Sequence, residues 1–259
     1  MTELELAHLS VKVRERVLLD DLSLRVERGD FVALVGPNGA GKTTLLKTVL
    51  ALRLPTSGEV RLHGKISSSL GPSERAALVA WLPQHVRADE PVTALETASA
   101  ARFRFQEPRS ESLAKARAAL ARVGAESYAE RRVNELSGGE RQRVAFACLL
   151  AQEANLLLFD EPANHLDPAQ QLEIYRLLGE LWREGRTIMC INHDVNLLNH
   201  TGDAERVRVV GMNRGRIELE ARFGDAALPE QLGALFSVHM HAIRDDNQRF
   251  IVPLAGSRP

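Results

Sequence analysis

A glycine-rich segment near the N-terminus matches the pattern G-x-x-x-x-G-K-[ST] and limits the possible folds more than any other feature. It follows an apolar run, Phe31–Val35, that predicts a buried strand, and it precedes apolar residues at helical spacing. In this context the glycines let backbone N–H groups point at phosphate oxygens, and the helix adds its positive N-terminal end. We expect Lys42 to reach the β- and γ-phosphates of a nucleoside triphosphate and Thr43 to bind Mg²⁺. The predicted phosphate-binding residues are Gly36, Pro37, Asn38, Gly39, Ala40, Gly41, Lys42, Thr43 and Thr44.

The composition narrows the class of protein. The 259 residues are 44% hydrophobic, enough for one large domain or two small ones, and the formal net charge of -1 gives no basic excess for nucleic-acid binding. The two cysteines lie in apolar runs, and we interpret them as core thiols in a reducing compartment. No apolar run approaches the length of a membrane span, and the first residues lack the pattern of a secretory signal. We therefore expect a protein that is soluble or peripheral to a membrane and located where ATP is plentiful.

A second apolar run, residues 156–159, ends in the carboxylates Asp160 and Glu161. In phosphate-loop enzymes an acid at the end of a neighbouring strand holds Mg²⁺, and Asp160 fits this role. Glu161, one residue further on, is the candidate for polarising the attacking water. The alternative is an exposed acidic turn after a core strand. Taken alone, this stretch supports both interpretations equally, and the phosphate loop upstream favours the functional one.

The stretch at residues 136–140 is a short polar loop that opens a helix. Ser137, Gly138, Gly139 and Glu140 follow a leucine there. The serine hydroxyl and the freed backbone amides predict a second site for an anionic group. The alternative is an ordinary capped helix start, although capping alone does not need two glycines.

Around these motifs the chain alternates between strand and helix patterns. The alternating leucines and valines of residues 4–26 predict half-buried antiparallel strands, whereas residues 92–123 predict two or three helices inserted in an otherwise α/β chain. A lone histidine after a strand, such as His193, is more often structural than catalytic. His239 and His241 have the spacing of one strand face, and we favour an edge strand over a metal site because no third ligand is near in sequence.

Several motifs occur together in one order and at matching separations: residues 36–43, Gln84, residues 136–140, residues 156–161, Asp167 and His193. This set resembles the ATP-binding subunit of an ABC transporter over nearly the whole chain, and the LSGG stretch is diagnostic of that family. The resemblance implies one α/β ATP-binding domain over residues 1–259. Its P-loop NTPase core with a small antiparallel β-subdomain would comprise residues 1–84 and 153–259, and its helical subdomain residues 85–152.

The resemblance also implies how ATP and Mg²⁺ are bound. Two copies would meet head to tail and enclose two ATP molecules, each touching the P-loop of one copy and residues 137–140 of the other. Gln84 would bind Mg²⁺ or the water and sense the γ-phosphate, whereas Asp167 would lie in the loop that crosses the dimer interface. His193 would contact the γ-phosphate and help to organise Glu161. The implied catalytic residues are Glu161, His193 and Gln84, and the implied metal ligands are Thr43, Gln84 and Asp160.

The partners implied by the resemblance lie in a membrane. The helical insertion and the segment after Gln84 would grip transmembrane permease subunits, so the chain would sit peripherally on the cytoplasmic face of the inner (plasma) membrane. A substrate-binding protein would act with it indirectly, and no nucleic-acid partner is expected.

One departure from the family concerns the residue that contacts the base of ATP. Relatives usually carry an adenine-stacking aromatic residue at the place of Val13, so this contact does not carry over.

Similarities that are weaker than the core motifs indicate one branch of the family. Residues 73–84, 170–173 and 250–253 are similar to importer subunits for iron chelates, haem and cobalamin, which predicts that ATP hydrolysis drives uptake of such a chelate. The alternatives are the ATPase of another importer class or of an exporter. A non-transport ABC ATPase ranks lower, because that class usually has two cassettes or a long coiled-coil insertion, and this chain has neither pattern.

Overall fold

The computed structural model describes residues 1–84, 91–164, 166–246 and 248–254. Strands and helices intersperse along these residues, which confirms the predicted α/β class. In chain order the elements are β1 (Thr2–Val13), β2 (Arg16–Glu27), β3 (Phe31–Val35), α1 (Lys42–Val49), β4 (Ser57–Leu62), β5 (Lys65–Ile66), α2 (Pro72–Leu78), β6 (Val79–Leu82), α3 (Ala94–Ala100), α4 (Arg109–Arg122), α5 (Gly138–Ala151), β7 (Leu156–Asp160), α6 (Pro168–Arg183), β8 (Thr187–Ile191), β9 (Arg208–Asn213), β10 (Arg216–Arg222), α7 (Leu228–Phe236), β11 (Met240–Asp245) and β12 (Gln248–Pro253).

The chain divides into two compact units. The first combines Met1–Ser69 with Phe159–Pro259, and the second is Leu70–Leu158. The phosphate loop, the two carboxylates after β7 and His193 therefore belong to the first unit. Gln84 and the loop at residues 136–140 belong to the second.

The first unit contains a small antiparallel sheet with the strand order β2-β1-β4-β5. Leu4, Leu6 and Leu9 of β1 are almost completely buried, whereas the residues between them are partly or fully exposed. Leu6 lies opposite Leu24 on one side and Val60 on the other. This pairing joins the apolar positions of three strands into one buried face, as the alternation in the sequence predicts.

The same unit carries a second sheet, in which β3 lies between β8 and β9 and runs parallel to both. Every residue of β3 and β8 is buried, which explains their continuous apolar sequences. Phe31 at the start of β3 packs edge-to-face against Trp182 of α6, with 5.5 Å between ring centroids. Because β3 ends at Val35, the glycine-rich loop begins at the carboxyl edge of the sheet, where α/β folds place their ligands.

The second unit is mainly helical, with α3, α4 and α5 packed against one another. The side chain of Arg102 is fully buried and donates hydrogen bonds to the carboxylates of Glu107 and Glu153 and to the carbonyl of Ala151. The hydrogen bond from Arg102 is the main reason that the pKa of Glu107 is about 2. This buried charge network fixes the segment between α3 and α4, where Pro108 interrupts the predicted helical region.

The C-terminal part of the first unit consists of α7 and the hairpin β11–β12. His241 lies in β11 and His239 directly precedes it, and the described residues contain no group of three side chains suited to hold a metal ion. In the part of the chain that the structure describes, no helix is long and apolar enough to cross a bilayer.

Candidate nucleotide-binding site

The glycine-rich loop requires glycine at two positions for steric reasons. Gly36 has a φ of 144°, and a Cβ there would lie 2.0 Å from the carbonyl oxygen of Met212. Gly41 precedes α1 with a φ of 105°, and a Cβ there would lie 2.7 Å from the carbonyl oxygen of Leu18. Only glycine satisfies both the backbone conformation and the contact, so the loop curls tightly around the N-terminus of α1.

The ammonium of Lys42 lies inside this loop. Its Nζ donates hydrogen bonds to the carbonyl oxygens of Gly36 at 2.7 Å and Pro37 at 3.1 Å, and the residue is 6% exposed. Burial lowers the pKa of Lys42, and the nearby carboxylates of Glu161 and Asp160 oppose this shift. The loop therefore holds one cation at its centre, close to two acids and suited to bind a polyphosphate.

Thr43 and Asp160 are brought together across 117 positions of sequence. The hydroxyl of Thr43 donates a hydrogen bond of 3.2 Å to Oδ1 of Asp160, which is 2% exposed. Burial raises the pKa of Asp160, while the hydrogen bond from Thr43 lowers it. A hydroxyl and a carboxylate are the hard oxygen ligands that Mg²⁺ prefers, so this pair fits the predicted metal site.

Glu161 is held in a strained backbone conformation with both carboxylate oxygens engaged. Its φ is 56°, which is uncommon for a residue other than glycine. Nε2 of His193 lies 2.5 Å from Oε1, and the amide of Asn164 donates a hydrogen bond of 2.9 Å to Oε2. The structure therefore places the predicted pair of His193 and Glu161 in direct contact. It adds Asn164, whose role the sequence analysis missed although it lies three residues downstream.

A cleft of about 430 Å³ opens along the loop. Seven of the nine predicted loop residues line it. The other two, Gly36 and Pro37, accept hydrogen bonds from the ammonium of Lys42 through their carbonyl oxygens. Glu161 also lines the cleft. Five further lining residues were not predicted, and they come from the start of β2 and from the turn between β9 and β10: Arg16, Val17, Leu18, Arg214 and Gly215.

The remaining predicted residues are positioned by helix starts or by the end of a strand. Ser137 caps α5: its hydroxyl accepts from the N–H of Glu140, whose carboxylate accepts from the N–H of Ser137. Asp167 caps α6 by accepting from the N–H of Gln170 at 3.0 Å. Gln84 follows β6 as an exposed residue, and the segment after it, residues 85–90, lies outside the described residues. The assigned roles of all these residues toward nucleotide stay predictions.

A family model described as ABC transporter matches residues 19–164, a range that includes the phosphate loop, the acidic end of β7 and the capped loop at 136–140. The chain belongs to the ABC transporter family. It is 35% identical over 250 residues to the iron(3+)-hydroxamate import ATP-binding protein FhuC of Bacillus subtilis (strain 168), covering 95% of this chain and 91% of that protein.

Two further comparisons extend this assignment. The hemin import ATP-binding protein HmuV of Rhodopseudomonas palustris (strain BisA53) is 35% identical over 260 residues, covering 96% of this chain and 94% of that one. A dimeric structure of the ATP-binding cassette MJ0796, in a post-hydrolysis state with ADP and Pi, aligns with a TM-score of 0.76 and 28% identity. That alignment covers 85% of this ABC protein and 98% of the cassette, so the predicted cassette fold is confirmed.

The buried carboxylate of Asp160 generates a prediction about stability. Because burial raises its pKa, the ionised form disfavours folding at pH 7, and this cost disappears as the pH falls below the unfolded pKa of about 3.9. We expect Asp160→Asn to raise the Tm of the protein without nucleotide and Mg²⁺ by about 2–4 °C, or about 1 kcal/mol. The gain should shrink toward pH 4, and calorimetry across pH measures it.

The exposed Asp245→Asn serves as the control, with no change in Tm expected. The Asp160→Asn protein should also lose most of the additional thermal stabilisation that Mg²⁺ gives in the presence of ATP. A lower Tm without Mg²⁺, or an undiminished response to Mg²⁺, would contradict the assignment of Asp160.

Proposed function

We propose that this chain is the ATP-hydrolysing subunit of an ABC importer that takes up a metal chelate. The observation that carries the proposal is the contact of Glu161 with His193 beside the loop that holds Lys42. Phosphoryl transfer to water needs a positioned base, a cationic loop and little covalent help from the protein. The first unit of this chain supplies these parts within one cleft.

In the proposed reaction a water molecule attacks the γ-phosphorus of ATP. The carboxylate of Glu161 orients this water through a hydrogen bond and accepts its proton as the water attacks, while His193 and Asn164 fix the two carboxylate oxygens. The bond from the γ-phosphorus to the β–γ bridging oxygen breaks, and ADP and phosphate result. Lys42 and the loop N–H groups hold the phosphates throughout. Thr43 and Asp160 would hold Mg²⁺, which would neutralise charge on the bound phosphates.

A second copy of the chain would complete each site. Residues 137–140 would then contact the ATP that is bound to the partner's phosphate loop, and Asp167 would lie in the loop crossing between the copies. The contacts of Gly138 support this arrangement, because a Cβ there would meet nothing within 4 Å, so packing within the described residues does not require glycine. Close approach of a ligand or partner would require it. The similar cassette MJ0796 is itself dimeric in its post-hydrolysis structure.

The helical unit would bind the transmembrane permease. A cavity of about 230 Å³ lies within this unit, between β6, α3 and α5. Its lining is mostly apolar and includes Leu82, Ala101, Val144 and Leu149, so it suits an apolar segment of the permease. This contact would hold the chain peripherally at the cytoplasmic face of the plasma membrane, with a substrate-binding protein on the other side.

The substrate class follows from the relatives. Iron(3+)-hydroxamate and hemin are the substrates in the names of two relatives that this chain matches over at least 95% of its length. Both are metal chelates, which supports the proposed substrate class. The alternative is another importer class, since a manganese transport system ATP-binding protein of Bacillus subtilis is 34% identical over 201 residues. An exporter ATPase remains the other alternative.

The role of Glu161 gives a direct test of hydrolysis. We expect Glu161→Gln to lower the ATPase rate about 100- to 1,000-fold, because the amide no longer accepts a proton from the attacking water. ATP binding should persist, so ATP should shift this variant to a dimer in light-scattering measurements. The exposed Glu230→Gln is the control and should hydrolyse ATP normally. Normal ATPase activity of Glu161→Gln would remove Glu161 from the mechanism.

The partner and the substrate class have a separate test. We expect Ala101→Glu to prevent co-purification with the co-expressed permease and to abolish chelate uptake, because it places a charge in the apolar cavity. ATP binding should stay intact. Ala100→Glu is the matched control, since Ala100 is exposed and does not line the cavity. If both variants co-purify with equal amounts of the permease, the assignment of this cavity as the docking site would be contradicted. Uptake of free manganese in place of a ferric chelate would contradict the substrate class.

A further inference from the structure

Two arginines that the hydrolysis mechanism does not use line the cleft. Arg16 and Arg214 line the cleft together with Val17, and the described lining residues include no aromatic ring. Val13, at the place where relatives carry an aromatic residue, is not among them. How the base of the nucleotide is held can be inferred from these residues, on the basis of the proposed function that ATP binds in this cleft.

Arg214 is fixed next to the phosphate loop by the turn between β9 and β10. The N–H of Gly215 donates to the carbonyl of Ala40 at 3.0 Å, and the carbonyl of Gly215 accepts from the N–H of Asp20 at 2.8 Å. A Cβ on Gly215 would lie 2.8 Å from the carbonyl oxygen of Leu18, so the turn packs directly on the β2 backbone. The position of Arg214 relative to the loop is therefore set by backbone contacts on both sides.

Arg16 lines the same cleft from the start of β2. It follows the turn that joins β1 to β2, where it pairs with Val13. Two residues later the carbonyl of Leu18 lies against both Gly41 and Gly215. The start of β2 and the β9–β10 turn thus meet beside the N-terminus of α1, with one exposed arginine on each.

No described carboxylate pairs with the guanidinium of Arg16 or of Arg214. Neither side chain forms an ion pair or hydrogen bond with a described residue, whereas Arg216, two positions beyond Arg214, is bound by Asp20 at 2.6 Å. A planar guanidinium without a carboxylate partner is well suited to stack on the face of a heteroaromatic ring. Val17 adds an aliphatic surface at the same place.

The chemistry of the cleft gives it a direction. Lys42, Thr43 with its partner Asp160, and Glu161 suit the terminal phosphates and Mg²⁺, which leaves the lining residues of the start of β2 and the β9–β10 turn for the nucleoside. We propose that Arg16 and Arg214 hold the nucleobase by guanidinium stacking, in place of an aromatic side chain. Stacking of this kind distinguishes bases weakly, because every base presents a π-face. Adenine and guanine nucleotides should therefore bind about equally well.

The experiment compares ATP, GTP and inorganic tripolyphosphate by isothermal titration calorimetry of the full chain. EDTA is present, so that no hydrolysis occurs, with salt at about 0.15 M to screen long-range charge effects. We expect wild type to bind ATP and GTP within about threefold of each other. The double variant Arg16→Ala/Arg214→Ala should bind both about 10-fold more weakly and bind tripolyphosphate within about twofold of wild type.

Two controls separate stacking from charge and from folding. Arg14→Ala lies in the same turn, does not line the cleft and should leave all three affinities unchanged. The double Arg→Lys variant keeps both charges but loses the planar groups, so it should retain less than half of the wild-type ATP affinity. An unchanged Tm confirms that each variant is folded.

Three results would overturn the inference. The first is a similar loss of ATP and tripolyphosphate affinity in the alanine variant, which would assign the arginines to phosphate. The second is full recovery of ATP binding by the lysine variant. The third is unchanged ATP binding in the alanine variant, which would leave the proposed ATP hydrolysis intact. A wild-type chain that binds neither ATP nor tripolyphosphate would instead overturn the proposed function together with the inference.

Discussion

The hydrogen bond from Thr43 to Asp160 joins the two halves of the phosphate site. It links the first turn of α1, which follows the glycine-rich loop, to the acidic end of β7. Burial of this site has an electrostatic cost, because it raises the pKa of Asp160 and lowers the pKa of Lys42. A bound polyphosphate with its Mg²⁺ would oppose both pKa shifts, because the phosphates bring negative charge to the ammonium of Lys42 and the metal ion brings positive charge to the carboxylate of Asp160.

The motif residues could be predicted from sequence because each serves a local geometric need. The positive φ angles of Gly36 and Gly41 belong to the tight connection between strand and helix, so the local sequence pattern indicates them, whereas the contacts of these glycines with Met212 and Leu18 appear only in the folded chain. The acidic pair is recognisable because it directly follows an apolar strand, and the structure places Asp160 and Glu161 at its end. The same holds for the helical insertion, where the absence of strand alternation already indicates helices.

Other parts of the site could not be predicted because they depend on contacts between distant segments. Arg16 and Arg214 belong to two hairpins that meet only in the folded chain, and their neighbours in sequence do not indicate a ligand. The hydrogen bond from Asn164 to Glu161 and the positive φ of Glu161 are both features of the folded loop that the sequence does not reveal. Ser137 illustrates a different limit. The reciprocal hydrogen bonds between Ser137 and Glu140 form a complete capping box, which alone explains the structure of this loop. A contact of Ser137 with nucleotide would be seen only in a complex with a second copy of the chain.

In the proposed dimer each ATP is shared between the phosphate loop of one copy and residues 137–140 of the other. A mixing experiment tests this sharing with Lys42→Ala, which disables the loop, and Gly138→Arg, which blocks the helix start where a Cβ would meet no described residue outside its own helix within 4 Å. Each variant alone should be inactive. If the sites are shared, the 1:1 mixture should regain about one quarter of the wild-type ATPase activity, because half of the dimers then contain one intact site. A mixture as inactive as its two components would contradict the account.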